Sequence, residues 1–488
     1  MTDPHETSAT LCYLSAEEIL QRLECGTVTS LQVVDACLER IAALDAAGTD
    51  VALNSIAAIS ADARQVARER DEERSRGESR GALHGVPVLI KDNIEAVGLP
   101  GLAGSTALVG RPSRDAGLVT RLREAGAILL ASTNLSQWAN IRSQRSTSGY
   151  SASGGLVANP WALDRSAGGS SSGSGAALAG GLAPLAVGTE TDGSIVCPAS
   201  VNGVVGLKPT VGVVPTTYVV PISASQDSPG PMGRSVDDVA LLFRVLAHST
   251  PPETSTVPTY AAATNWRTGH PLTDQLFDEV VAELRGDGLS VVDREMALPK
   301  DQEYRDEGVV LFSELLDDLD AYLSERPGGG VRSLAEVIAY EDENREREQA
   351  YFGHENFITA VLSGGRRGTD YAQARQRNLS WAIDTCLTPG LDGVDVIIAP
   401  AYGPSWKSDL VVGGHPGPSS PATMAPAIAG WPIMCLPFGL VEGLPVGVAV
   451  IGRAHAEWTI IEAARRIERI VRRNHALPAP SWSQPTRG

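Results

Sequence analysis

Apolar positions along the chain follow two periods, and the two alternate from one end to the other. Leu31, Val34, Leu38 and Ile41 recur at helical spacing. Ser15 with Glu18 and Thr29 with Gln32 supply capping boxes ahead of such runs. The spacing therefore predicts helices within 14–75, with the charge-rich 58–81 as an exposed helix end plus a loop. A continuous apolar run, Val86 to Ile90, is suited to a strand buried on both faces. The helical pattern GLVTRLREA then leads into a second such run, AGAILLASTN (125–134). Near the C-terminus VDVIIAPAY (394–402), WPIMCLPFG (431–439) and LPVGVAVIG (444–452) predict strands. The amphipathic EWTIIEAARRIERIVRR predicts a closing helix.

Two blocks depart from this rhythm in opposite directions. Residues 166–233 hold four charged positions in 68: Glu190, Asp192, Lys208 and Asp227. A flexible Gly/Ser linker would not alternate with ALAGGLAPLAVG and SIVCPASVNGVVGLKP. The block is expected inside a large core, with loops packed tightly enough to need glycine. Residues 301–350 hold 20 charged positions in 50, of which 15 are acidic. Their apolar residues still fall at helical spacing, which describes a solvated helical layer. No fixed-period repeat and no break in composition divides the chain. The expectation is an α/β fold, a large mixed sheet covered by helices on both faces. One unit is expected over 10–478: an N-terminal helical segment (14–75), a catalytic core (84–240), a helical variable layer (265–380) and a C-terminal return to the core (390–478).

Composition narrows the class. The chain has 488 residues, 43% of them hydrophobic and 20% charged. That is enough to bury a sizeable core, and it excludes a disordered chain or a coiled coil. No run of ~18 apolar residues is present. The start, MTDPHETSATLCYL, carries acids where a secretory leader carries bases, so a cytoplasmic location is expected. A net charge of −18 argues against nucleic-acid and anionic-lipid partners. Six scattered cysteines without a CxxC pair are expected to be reduced thiols. Lys91, Lys208, Lys300 and Lys407 are the chain's four lysines, against 36 arginines. Lysine can shed its proton in a protein and arginine cannot, so each lysine invites a chemical question.

Three segments carry candidate chemistry. Lys91 ends an apolar run; desolvated there, its amine would have a lowered pKa and could act as a general base. From spacing alone a strand-end ion pair with Asp92 or Glu95 is the plainer reading. GGSSSGSG (168–175) lacks the GK[ST] of a phosphate loop. It matches G-x-S-x-G around Ser171, but ANPWALDRSA ahead of it makes a poor strand for a nucleophile elbow. In GTETDGSIVCP (188–198), glycines bracket a turn that ends in Ser194. Such a turn can aim consecutive N–H groups at an oxyanion, or be a plain buried turn. The eight histidines show no metal-binding spacing. His415 and His455 could serve a Ser–His esterase, although each fits a surface loop better.

Taken together, these segments resemble the amidase signature family. The blocks that carry the resemblance are HGVPVLIKDN, STNLSQWA, AGGSSSGSGAALAGG, GTETDGSIVCPASVNGVVGLKPT, SQDSPGPMGRSVDD and GLPVGVAVIGR, and they span nearly the whole chain. Ser170 and Ser194 lie 24 positions apart, as that family's catalytic serines do. GTETDGS, QDSPGPM and the helical SLAEVIAYEDEN segment resemble its bacterial peptide amidase branch most. The resemblance implies an amide hydrolase with Ser194 as nucleophile and Lys91 as base. Ser170, after a cis peptide bond from Gly169, would bridge them. Backbone N–H groups of Thr191, Asp192, Gly193 and Ser194 would form the oxyanion hole. It implies no metal and no cofactor. Lys208 is expected to be structural, Asp92 to order the loop after Lys91, and Glu190 and Asp192 to bond within their own loop. Asp192 stands where many members have glycine. The implied substrate is a C-terminal peptide amide or related primary amide, taken by a monomer or homodimer. The alternatives are an aryl or aliphatic amidase or anilide hydrolase, and an amidotransferase A-type subunit that draws ammonia from glutamine. Residues 212–224 and 300–380 are expected to line the substrate site.

Overall fold

The computed structural model describes residues 11–108, 110, 112–253, 256–328, 330–414 and 417–480. Among these lie the strands β1 (Ile56–Ile59), β2 (Pro87–Lys91), β3 (Ile128–Thr133), β4 (Tyr150–Ser151), β5 (Gly155–Leu156), β6 (Ala158–Asn159), β7 (Ala162–Ser166), β8 (Leu185–Glu190), β9 (Val205–Lys208), β10 (Ser228–Gly233), β11 (Tyr260–Ala263), β12 (Val291–Arg294), β13 (Val396–Tyr402), β14 (Ile433–Val441) and β15 (Leu444–Ile451). Eleven of them form one mixed sheet in the order β1-β3-β2-β8-β10-β9-β14-β15-β13-β11-β12. Two small ribbons stand apart, β4 with β5 and β6 with β7. Strand β2 runs parallel to both neighbours, β3 and β8, whereas β8 to β13 is antiparallel throughout. Every residue of β2, β3, β8, β10 and β15 is buried. Such strands need cover on both faces, so their residues are mostly apolar or small and do not alternate with polar ones.

The low-charge block 166–233 supplies β8, β9, β10 and two helices, Ser172–Ala179 and Val196–Asn202, that are buried along their whole length. Glycine is required where these pack against backbone. A Cβ on Gly173 would sit 2.3 Å from Ser55 O and 2.4 Å from Asn134 O. The acidic layer contains the 25-residue helix Asp301–Glu325, then Leu334–Glu343 and Glu355–Ser363. None of the described helices is long and apolar enough to cross a membrane.

Three expectations need correction. Ile56–Ile59 is an edge strand, not part of a helix end. The buried Asp45 carboxylate accepts the N–H groups of Ser55 and Ile56 and so turns the chain into β1. That contact is eleven residues away from the segment it directs, and IAAI carries no periodic pattern. The helical layer also contains a strand, since β12 pairs with β11 at the far sheet edge. Ala162–Ser166 is a strand too, but it pairs with Ala158–Asn159 in a ribbon outside the main sheet. Its extended form comes from Asn159, whose amide donates to Ser166 O and Val201 O.

Candidate active site

Strand β2 ends at Lys91, and its register with β8 sets Ile90 opposite Val187. The lysine side chain is therefore enclosed between strands and is fully buried. Its Nζ lies 2.7 Å from Ser170 Oγ, 2.9 Å from Thr189 Oγ1 and 3.1 Å from Thr189 O. Burial lowers its pKa to about 7, against the opposing pull of Glu190 and Asp227.

Ser170 stands at the approach to the helix Ser172–Ala179, after a cis peptide bond from Gly169. Ser136 N–H donates to its carbonyl at 3.1 Å. Its neighbour Ser171 is fully engaged: Oγ donates to Thr189 O and accepts from Thr189 N–H, and its N–H donates to Ser194 O. Ser171 thus joins the two motifs as a strut, and no histidine touches it among the described residues. His455 is exposed and donates its backbone N–H to Thr210 Oγ1; His415 lies outside the described residues.

Ser194 follows β8 by one tight turn. Gly193 has φ +74°, and a Cβ there would meet Tyr402 Oη at 2.7 Å. The turn is tied down from outside. Glu190 Oε2 accepts the N–H groups of Ile195 and Val196 at 2.6 and 2.9 Å. Thr191 Oγ1 donates to Asp227 Oδ1 at 2.6 Å. Burial lifts the Asp192 carboxyl, and the opposing side chain is Thr423 in a distant segment, not a group of its own loop as expected. With these anchors placed elsewhere, the N–H groups of Asp192, Gly193 and Ser194 donate to no backbone carbonyl among the described residues.

A cavity of about 280 Å³ opens over this turn, lined by Gly169, Thr191, Asp192, Gly193, Ser194 and Cys197. Ile222, Leu311, Tyr402 and Trp406 also contribute to its lining. No hydrogen bond joins Ser194 Oγ to Ser170 Oγ among the described residues, whereas the Lys91–Ser170 contact is made. A second cavity of about 290 Å³ shares Ala139, Thr191 and Ile222 with the first and extends along 216–222 to Asp318 and Glu325. Residues of both 212–224 and 300–380 thus reach the cavity walls.

Charges around the site are buried and mutually dependent. Lys208 is buried with its pKa lowered to about 8, offset by Glu190, Asp192 and Glu457. Burial lifts Glu190, with Lys208 opposing. Asp92 holds the following loop through the N–H groups of Gly101 and Leu102, and burial lifts it to about 7. Residues that sequence reasoning missed are Thr189, which holds the Lys91 amine, and Asn93, which donates to Thr189 Oγ1 at 3.0 Å. Thr189 lies inside the quoted GTETDGS segment, but only the β2–β8 register brings it to Lys91.

A family model described as Amidase matches residues 32–461. A probable amidase of Arabidopsis thaliana is 34% identical over 468 residues, covering 90% of this chain and 86% of that protein. The A subunit of a glutamyl-tRNA(Gln) amidotransferase from Symbiobacterium thermophilum is 32% identical over 502 residues, covering 96% and 98%. The crystal structure of native peptide amidase from Stenotrophomonas maltophilia superposes with a TM-score of 0.88 at 37% identity, over 96% of this chain and 98% of that one. A structure of a peptide amidase with its competitive inhibitor chymostatin gives a TM-score of 0.89 at 37% identity, covering 95% and 98%.

Proposed function

The chain belongs to the amidase family, and on that premise we propose that it hydrolyses primary carboxamides at the C-terminus of short peptides or N-acylated amino acids. Ser194 is the nucleophile in this reading. A serine hydroxyl is weak without a base. When the amide enters, Ser194 Oγ turns to Ser170 Oγ and passes its proton through that hydroxyl to the neutral Lys91 amine. Oγ attacks the carbonyl carbon, and the resulting oxyanion is held by the free N–H groups of the Thr191–Ser194 turn. The proton returns by the same relay to the departing nitrogen, which leaves as ammonia. Water then cleaves the acyl-enzyme by the reverse route. The observation that carries the reading is the buried Lys91 amine, its pKa lowered to about 7, at 2.7 Å from Ser170 Oγ.

Two findings favour a peptide-like acyl group: the 37% identity to peptide amidase over 96% of the chain, and the binding of chymostatin by such an enzyme. Turnover of an N-blocked dipeptide amide, a simple aromatic amide and its anilide tests this. Release of ammonia from the dipeptide amide, with internal peptide bonds intact, is expected. Faster turnover of the anilide and none of the dipeptide amide would replace the substrate and keep the mechanism. The likeness to the A subunits of amidotransferases favours a second reading, in which glutamine is the ammonia donor. That reading requires glutamine hydrolysis to exceed that of the blocked dipeptide amide.

A further inference from the structure

The helix Asp301–Glu325 sets Tyr304, Glu307 and Leu311 on one face, at positions i, i+3 and i+7. Leu311 lines the Ser194 cavity together with Asp192. Glu307, one turn earlier, is 8% exposed, and its Oε1 accepts from Gln226 Nε2 at 3.2 Å. Burial lifts the Glu307 carboxyl and the Asp192 charge lifts it further, and burial followed by both carboxylates raises the Tyr304 hydroxyl. No lysine or arginine forms an ion pair with either carboxylate among the described residues; Lys208 acts on Asp192 from a distance.

Hydrogen-bond donors are lacking in the same place. Asp192 Oδ1 is buried without a partner. Gln226 is fully buried, and its Oε1 also has none. A buried acceptor without a donor is costly, and native proteins leave few of them. Asp192 lines the cavity, and the Glu307–Gln226 pair lies one helical turn from Leu311 in the same lining. The two acceptors left without donors, Asp192 Oδ1 and Gln226 Oε1, with the Glu307 carboxylate beside them, match a group with several N–H donors and a positive charge.

We propose that Asp192 and Glu307, with the Gln226 carboxamide, form a subsite that binds a positively charged nitrogen in the acyl portion of the substrate, either an α-ammonium or a lysine- or arginine-type side chain. The inference rests on the amide-hydrolase reading and narrows its substrate class. Asp192 contributes its side chain here, separately from its backbone N–H in the oxyanion turn. Glu307 is the specificity residue of this subsite, since it comes from the acidic helix Asp301–Glu325 and not from the segments that carry Lys91, Ser170 and Ser194.

Two substrate pairs separate the sources of charge: leucinamide against N-acetyl-leucinamide, and N-acetyl-lysinamide against N-acetyl-norleucinamide. The cationic member of at least one pair is expected to have a kcat/KM about tenfold higher, in keeping with a charge-assisted contact. Glu307→Gln should bring that ratio within about threefold of unity and leave the neutral amides within about threefold of wild type. Calorimetry with n-butylguanidinium and the uncharged N-butylurea reads the subsite without turnover. The guanidinium should bind wild type, the urea should not, and Glu307→Gln should lose the difference. Equal turnover within both pairs, equal binding of the two probes, or a preference that survives Glu307→Gln overturns the subsite. Hydrolysis of neutral amides with no cation preference removes this inference alone. Guanidinium binding that depends on Glu307, with no primary amide turned over, removes the functional reading alone.

Discussion

Lys91 Nζ and Ser170 Oγ are 2.7 Å apart although 79 residues separate them in the chain. The contact exists because β2 is inserted in parallel between β3 and β8, while the Gly/Ser loop folds back over the end of β8. An ammonium in this enclosure loses its hydration and recovers only hydroxyl and carbonyl acceptors. The neutral amine is thereby favoured, and near neutral pH it can accept a proton.

The pH profile follows from that pKa of about 7. Protonated Lys91 cannot act as a base, so kcat/KM should rise through an ionisation near pH 7 and flatten above it. Lys91→Arg should lose at least ~10³-fold, because arginine keeps the charge and cannot give up its proton. Steady-state rates from pH 5 to 10 check both. A flat profile, or an active arginine variant, would remove lysine as the base.

Ser194→Ala should abolish turnover, since the proposed mechanism has no other nucleophile at the oxyanion turn. Ser170→Ala should cost several orders of magnitude and leave a trace, because a water in the vacated space can carry part of the relay. Trapping of a covalent acyl-enzyme by mass spectrometry distinguishes the two: Ser170→Ala should still form it slowly, Ser194→Ala not at all.

Lys91→Met should change the pH dependence of stability as well as activity. The sign follows from proton counts. Between about pH 7 and 10.5 the unfolded chain keeps the Lys91 proton that the folded chain has shed, so wild type gains stability as pH rises through that window, at most about 1.4 kcal/mol per pH unit. Methionine fills similar volume and does not titrate. Denaturant unfolding of both proteins at pH 7 and pH 9 should show wild type gaining relative to the variant. A parallel response in the two would mean that the buried amine does not titrate in this range.

How far the sequence carries differs sharply between parts of the molecule. Strands such as Pro87–Lys91 and Leu444–Ile451 are legible because burial on both faces writes a nearly uninterrupted apolar run. The closing helix Glu457–Asn474 is legible because it has one wet face. Ile56–Ile59 is not, since its extended form depends on the Asp45 carboxylate and on pairing with β3. The same divide runs through the site. Lys91, Ser170 and Ser194 stand in segments of unusual composition. Thr189, Asn93, Gln226 and Glu307 gain meaning only from register or from the packing of a distant helix, and no local pattern encodes that.

Gly193→Ala probes the proposed oxyanion turn directly. Its φ of +74° is strained for alanine, and the new Cβ would lie 2.7 Å from Tyr402 Oη. Either the turn shifts or Tyr402 does, and a small displacement of donors aimed at an oxyanion is expensive. We expect kcat to fall by ~10²-fold or more with KM little changed and melting temperature lowered by a few degrees. A variant with normal kcat would show that the N–H groups of this turn do not hold the oxyanion.

Glu348 tests whether the acidic layer shapes the cavity. Its fully buried carboxylate accepts from Ser105 Oγ at 2.9 Å, Thr106 N–H at 2.8 Å and Gln137 Nε2 at 2.6 Å, and also from Thr106 Oγ1. Gln137 leads directly into Trp138 and Ala139, both at positive φ (51° and 52°), and Ala139 borders both cavities. Trp138 Nε1 is held in turn by Glu341 at 3.0 Å. Left-handed conformations at such residues persist only where the surroundings over-determine them. Glu348→Ala strands several buried donors at once, for a loss of ~2–4 kcal/mol. The freed segment should relax away from φ > 0 and move Ala139 in the cavity wall. KM for the amide should then rise more than kcat falls, because none of the bonds that the Glu348 carboxylate accepts involves Lys91, Ser170 or Ser194. A stability loss with unchanged KM would mean that the layer props up the core without shaping the substrate cavity.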